Sequence, residues 1–527
     1  MIFDVHEQVH ATVLAVLAVS LCFKKGVWRS GPELNRHSRI CSPLHHHSAT
    51  GPPCGGWGRP MRLGVSLYQA PDRWGQAHGQ FSGHGWCDSR THDLVIAPWV
   101  NPPDSRLILV TGPVHMPTDG GAVPKHPLRR AWLSAPRARA VGHVLLIAQI
   151  VLLLVAIAGT HGLIVATGPS STDYISFYAA GRLAAQGNAA LAYDRAVHYA
   201  LEQVITEPGI DHKFFFYPPI FLLLCAPLSL LPYLISFVLF QAATLGGFLA
   251  IIRRVLPADD QFAGGIGLVL AYPALYWTVG LGQNAFLTAA LFTAALLILD
   301  TRPFLAGLLF GAICYKPHFG LLVPVALAAS GRWVAIAGAS VAVMLLIGCS
   351  VAFFGADAWR AYLAAASGAG AVYETGRINL AGYITVFGGA RLLGLPVGAA
   401  YAAQIAAGLG AALAVGWIWW ARTALPIRAA ALLSGTLLTV PLGLLYDLML
   451  LLPAIIWLAR TGQASGFLPA EKPFLAFAFV APLVVLSAGM GLDIPLGPCA
   501  SAGVLGFCVA RTRLARRGTH SNRVLGQ

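Results

Sequence analysis

The stretch STDYISFYAAGRLAAQG, residues 171–187, places a carboxylate just after an apolar run, His143 to Thr167, has left the bilayer. Tyr174, Tyr178 and Arg182 recur at helical spacing and share one face, with Asp173 beside it. Two readings compete. In one, this is an interfacial helix whose aromatics mark headgroup level and whose Asp caps its start. In the other, it is the polar wall of a site at the membrane surface. The rest of the chain decides between them.

The 527 residues are 57% hydrophobic and only 11% charged, with a mean hydropathy of +0.67. Too little polar surface remains for a soluble protein, so the bilayer is the solvent. A net charge of +14 raises the question of nucleic acid, but Lys and Arg sit in short clusters between apolar runs and at the tails. That pattern is the positive-inside bias of a polytopic membrane protein, and no polynucleotide partner is expected. Cys225, Cys314, Cys349, Cys499 and Cys508 lie within apolar runs and none shows a Cys-x-x-Cys spacing, so they read as small core residues.

Residues 1–115 are rich in Gly, Pro, His and Trp and lack sustained periodicity after Phe23. They are expected to be disordered or to lie outside the native fold, through an upstream start choice. Cys41, His45, His46, His47 and Cys54 do not form a favourable ligand spacing. Met116 begins a better chain, in which 116–142 is a basic cytoplasmic tail containing Lys125, Arg129, Arg130, Arg137 and Arg139. A transmembrane domain then occupies 143–511, and 512–527 is a second basic tail.

Apolar runs after the first span predict an all-α bundle of about 11 to 13 transmembrane helices. Two of them, 303–330 and 427–459, are long enough to be helical hairpins. Arg332, Arg422, Arg428, Arg460, Lys472 and Arg511 to Arg517 assign their ends to the cytoplasm, which leaves 168–215 and 356–395 on the other side. Parity leaves two readings. If 216–232 and 234–252 both cross, Arg253 and Arg254 lie outside. The favoured reading, because Pro218, Pro219, Pro227 and Pro232 interrupt it, is that 216–232 dips into the membrane without crossing. Arg253 and Arg254 then lie inside and the tip Tyr315-Lys316-Pro317-His318 emerges on the side of Asp173.

On that topology the unusual polar residues gather on one face: Asp173, the FFFYPP segment Phe214 to Pro219, Gly282-Gln283-Asn284, Lys316, His318, and the loop holding Glu374, Arg377 and Asn379. Tyr446 and Asp447 lie in the second hairpin. Ionisable groups within hydrophobic sequence are costly unless paired or facing water, which makes them functional candidates. Each has a plainer role open to it: Lys316 snorkelling, Gln283 bonding between helices, His318 packing, Asp447 pairing with Lys316 or an arginine.

The ordered set DYISFYAAG (173–181), Gly187 and Tyr193, Tyr217-Pro-Pro219, Gly282-Gln-Asn284, Ala306-Gly307 before Lys316-Pro317, and Tyr446-Asp447 resembles glycosyltransferase family 87. The resemblance spans about residues 143–460. It departs from the family after Asn379, where Leu380 and Ala381 stand in place of a small polar residue, and residues 1–115 have no counterpart. The resemblance implies a bundle of the GT-C class and the extracytoplasmic transfer of a sugar, mannose or another hexose. A polyprenyl-phosphate sugar would be the donor and a lipid or glycan hydroxyl the acceptor. Asp173 is then the expected general base. Lys316, Arg377 and Arg182 are the expected phosphate-binding cations. Tyr174, Tyr178, Tyr217, Gln283, Asn284, His318, Asn379, Tyr446 and Asp447 are the expected substrate contacts. Direct displacement would invert the anomeric centre. No carboxylate cluster predicts a metal site, and no tightly bound cofactor is expected. The rivals are a secondary transporter, which internal repeats would favour but none is seen, and a polymerase or ligase using a diphosphate-linked lipid, which calls for more arginines.

Overall fold

The computed structural model describes residues 135–159, 172–256, 265–368, 370, 374 and 379–524, and everything below concerns those residues. The expectations for 1–115 and for Arg377 lie outside them. Residues 135–142 of the expected N-terminal tail open a helix, α1 (Ala135–Gly159), and the C-terminal basic segment continues one up to Val524.

The described chain is helical, with no strand; one antiparallel bridge joins Tyr383 to Leu444. After α1 come α2 (Tyr174–Ala185), α3 (Arg195–Ile205), α4 (Pro219–Leu228) and α5 (Tyr233–Ile252). Then follow α6 (Gly265–Leu270), α7 (Pro273–Leu281), α8 (Ala285–Ile298), α9 (Pro303–Ala312), α10 (Leu322–Ala329) and α11 (Trp333–Ser367). The set closes with α12 (Val386–Leu392), α13 (Val397–Trp420), α14 (Leu425–Thr439), α15 (Leu451–Ser465), α16 (Glu471–Leu492) and α17 (Leu496–Val524). Proline opens α4, α7 and α9, where its missing N–H is one that a helix start leaves unpaired anyway.

Six helices are long and apolar enough to cross a membrane, and five further apolar helices have 10–17 residues. The expected 11 to 13 spans therefore resolve into six of full length and a set of shorter pieces broken by Pro and Gly. α4, with 10 residues, rises about 15 Å and falls well short of a hydrocarbon core of about 30 Å. α9 is equally short, and the chain turns back through two 3₁₀ turns, Ile313–Tyr315 and Pro317–Gly320, into α10. That is the expected hairpin, with Lys316 at its tip. A second one runs from α14 through the 3₁₀ turn Leu445–Leu450 into α15.

Contacts assign the two ends of the bundle. At one end the Thr172 hydroxyl lies 3.0 Å from the Tyr233 hydroxyl, which sets the start of α2 beside the start of α5. At the other end Arg460 donates to the Val255 carbonyl, which brings the Arg253-Arg254 turn to the basic end of α15. Arg332 pairs with Asp300 and donates to the Leu299 carbonyl at 3.1 Å, and Arg428 lies 3.7 Å from Asp300. The basic residues thus collect at the ends of α5, α8 and α15 and at the starts of α11 and α14. A dipping α4, too short to cross, gives this arrangement.

α11 turns at Gly355, whose φ of +77° is open to glycine and strained for other residues. Beyond that turn the helix packs against α4 and the 3₁₀ turn Ala189–Tyr193, with the Tyr362 ring centre 5.7 Å from that of Tyr193. Small residues let α9 and α11 touch along their backbones: a β-carbon on Gly307 would meet the Ala335 carbonyl, and one on Gly338 the Phe304 carbonyl. Reporter or cysteine-labelling sites in 253–256 and 460–472 are expected to read one side of the membrane and sites in 207–213 the other. A reading of 253–256 on the side of 207–213 would refute the dip.

Candidate active site

Asp173 stands at the first position before α2 but does not cap it; its side chain makes no hydrogen bond to the helix amides. Its Oδ2 accepts from Gln283 Nε2 at 2.8 Å, and its Oδ1 lies 3.9 Å from Lys213 Nζ. The carboxylate keeps 25% of its surface exposed, so it is held on two sides and open on a third.

Gln283 reaches Asp173 because of the residue before it. Gly282 ends α7 in the left-handed region at φ +71°, and a β-carbon there would sit 2.7 Å from Tyr174 Cβ. Glycine alone lets this turn approach the start of α2. The Gln283 carbonyl accepts from Gln241 Nε2 at 3.1 Å, which ties the turn to α5. Gly181 has a parallel duty farther along α2, where a β-carbon would run into the Cys225 carbonyl of α4.

The two hairpin tips meet in a buried ion pair. Lys316 Nζ donates to Asp447 Oδ1 at 2.8 Å, and both side chains are only 5% exposed. Asp447 Oδ2 accepts the Leu444 amide at 3.1 Å, so each carboxylate oxygen has its own donor. The ammonium also lies 4.9 Å from the Phe319 ring centre and 5.5 Å from that of Tyr446. Of the roles open to Lys316 and Asp447 in the sequence, mutual pairing is the one observed.

Tyr217 stands between the two polar groups. Its ring centre is 5.2 Å from that of Phe177 on α2 and 6.4 Å from that of Tyr315, the neighbour of Lys316. Asn284, fully buried at the start of α8, neighbours the Tyr217 hydroxyl. The loop ending in Tyr383 joins the same end of the bundle, where the Ile384 amide donates to the Gly443 carbonyl at 3.0 Å.

Other expected contacts have structural partners. Tyr174 is buried with its hydroxyl 2.6 Å from Ser236 Oγ, and Tyr178 donates to the Leu231 carbonyl at 2.8 Å, so both dock α2 onto α5 and the turn before it. Arg182 is exposed near the far end of α2, about 13 Å along the axis from Asp173. Asn379 is exposed and its side chain accepts the Ala381 amide at 3.0 Å, capping the short 3₁₀ turn that follows. His318 is half-buried with its ring edge-on to Phe319.

Two features escaped the sequence reading. Lys213 is the cation that faces Asp173. Next to it, His198, Glu202 and His212 converge, with one candidate ligand atom from each lying within 4.8 Å of the others. Burial holds His198 and His212 down to about 4 and lifts Glu202 to about 8, against the Lys213 amide that donates to it. The spacing His198-x-x-x-Glu202 puts both on one helix face and was the available signal.

Residues 215–446 match the model of glycosyltransferase family 87. The resemblance read from the sequence motifs is therefore found independently over the segment that carries Tyr217, Gln283, Asn284, Lys316, His318, Arg377, Asn379 and Tyr446. Asp173 precedes the matched segment and Asp447 is its next residue, yet each is bonded to a side chain within it. The match supports a membrane glycosyltransferase. No curated protein and no solved structure matches the chain.

Removing one member of the Lys316–Asp447 pair strands a buried charge, which costs about 3 kcal/mol or more, whereas removing both with apolar residues of similar size is often neutral. Asp447→Leu is thus expected to lower unfolding stability in detergent by about 3 kcal/mol, and Lys316→Met with Asp447→Leu to recover most of it. A loss in the double variant equal to the sum of the two single-variant losses would show that the pair is not coupled.

Proposed function

We propose that the chain transfers a sugar from a polyprenyl-phosphate donor to a lipid or glycan hydroxyl, with inversion, at the end of the bundle that carries Asp173. That end is assigned to the extracytoplasmic side because the basic residues gather at the opposite one. The observation that carries the proposal is Asp173 itself: a partly exposed carboxylate that does not cap its helix and is held instead by Gln283, inside the family match, and faced by Lys213.

The acceptor hydroxyl is placed against Asp173, which takes its proton as the oxygen attacks the anomeric carbon. The bond from that carbon to the phosphate oxygen breaks on the opposite face, and the lipid phosphate leaves carrying the electron pair. Its charge needs fixed cations. Lys213 has a partly exposed ammonium and only a long contact with Asp173; Lys316 lies beyond Tyr217, with Arg377 and Arg182 as further candidates. Tyr217 and Phe214 offer aromatic faces to a sugar ring. A cavity of about 620 Å³, lined by Val386, Gly389, Leu438, Pro495 and Cys499 among other apolar residues, has the character of a hydrocarbon site. The hexose is mannose or a relative of it, and the reaction needs no tightly bound catalytic metal.

Purified protein in lipid nanodiscs, given radiolabelled polyprenyl-phosphate hexoses and membrane extract, is expected to label a lipid or glycan product. Asp173→Asn keeps size and the bond to Gln283 but cannot take the proton, so transfer is expected to fall about a hundredfold or more with donor binding retained. Near-normal transfer by a well-inserted Asn variant would remove Asp173 from the chemistry.

A further inference from the structure

His198 and Glu202 lie one turn apart on α3, and His212 approaches them from the segment that leads into Lys213 and the Phe214 to Tyr217 aromatics. His198 Nε2 lies 3.1 Å from the Ser176 carbonyl. A carbonyl only accepts, so Nε2 carries the hydrogen and the Nδ1 of the neutral ring presents a lone pair. That Nδ1 lies 3.3 Å from His212 Nε2 and 3.5 Å from Glu202 Oε1. Glu202 Oε2 accepts the Lys213 amide at 3.1 Å, but Oε1 is buried and has no hydrogen-bond partner. His198 and Glu202 are essentially inaccessible, and His212 is half-buried.

An orphaned carboxylate oxygen beside an imidazole lone pair, both away from water, is an unfavourable arrangement unless something positive lies between them. We infer that His198 Nδ1, Glu202 Oε1 and His212 Nε2 form a binding site for a divalent transition metal of the zinc class. Tetrahedral zinc with bonds of about 2.0 to 2.1 Å sets its ligands about 3.3 to 3.4 Å apart, close to the two spacings around His198. Two imidazoles and a carboxylate make a familiar zinc set, and the half-exposed side at His212 leaves the fourth position to water. The bond from His198 to the Ser176 carbonyl is the support that a metal-binding histidine usually has, fixing the tautomer and the ring.

The site is additional to the metal-free transfer proposed for Asp173 and stands apart from that chemistry. Its place in the fold makes it a clamp. Ser176 lies on α2 three residues after Asp173, and Lys213 follows His212 directly, so a bound ion ties the helix of the carboxylate to the segment bearing its facing lysine. The transferase reading is not needed for the ion to bind.

The test uses the full chain in detergent, stripped with chelator, re-loaded with zinc, freed of excess, and assayed for metal by mass spectrometry. Wild type is expected to hold about one zinc ion more per chain than His212→Ala, so any zinc on the N-terminal histidines and cysteines cancels in the comparison. Zinc is expected to raise the melting temperature of stripped wild type and not that of His212→Ala. Cobalt in place of zinc should give visible bands of a four-coordinate ion, which the variant loses. Glu202→Gln, which still accepts the Lys213 amide but binds metal poorly, serves as a second variant should the first not accumulate. Wild type that takes up no zinc, or equal uptake and equal melting shifts in wild type and variants, overturns the site and leaves a proton between His198 and Glu202. Normal zinc loading together with inactive wild-type protein in the transfer assay would fault the transferase reading alone.

Discussion

An ionisable side chain among apolar helices has to find an opposite charge, and the pairing of Lys316 with Asp447 satisfies that demand for two hairpin tips at once. Neither tip can withdraw without leaving a charge in a buried, aromatic setting, so the pair sets how far each hairpin reaches. Once the tips are joined, Tyr315 beside Lys316 stacks toward Tyr217 and Phe221, and the bridge between Tyr383 and Leu444 fastens the loop that precedes α12. The half of the polar end around Tyr217 is built on that contact.

Asp173 depends on a different kind of constraint. It is not paired tightly: its contact with Lys213 is long and its shortest bond is to a neutral amide. The side chain is left partly in water, which keeps one face open to an incoming hydroxyl. Gly282 makes the amide reachable, and the packing of Tyr174 and Tyr178 against α5 and the turn before it makes the position of the helix start rigid. Residues that the motif suggested as substrate contacts thus serve the site by fixing its geometry.

The segment 195–217 carries more structure than its loop position suggests. Tyr199 donates to the Ile210 carbonyl, Gln203 accepts the Gly209 amide and Glu202 the Lys213 amide, so the return from α3 is bonded back onto α3 along its length. The His198, Glu202 and His212 cluster sits at the end of that return, where it meets α2.

Composition and the spacing of apolar runs were enough for an all-helical membrane protein and for the two hairpins, because bilayer thickness and the cost of buried charge act on sequence directly. The likeness to glycosyltransferase family 87 was legible too, since the order of short motifs survives without any coordinates. Partners were not. Whether Lys316 meets phosphate, headgroup or Asp447 depends on where a residue 131 positions away comes to rest, and periodicity carries no such distance. The number of spans was not settled by the apolar runs: six described helices are long and apolar enough to cross, and the rest of the runs form shorter helices. Lys213 and the histidines were missed for the same reason: His198 and Glu202 share a helix face, but only the fold brings His212 to them, and burial then leaves one oxygen of Glu202 without a donor.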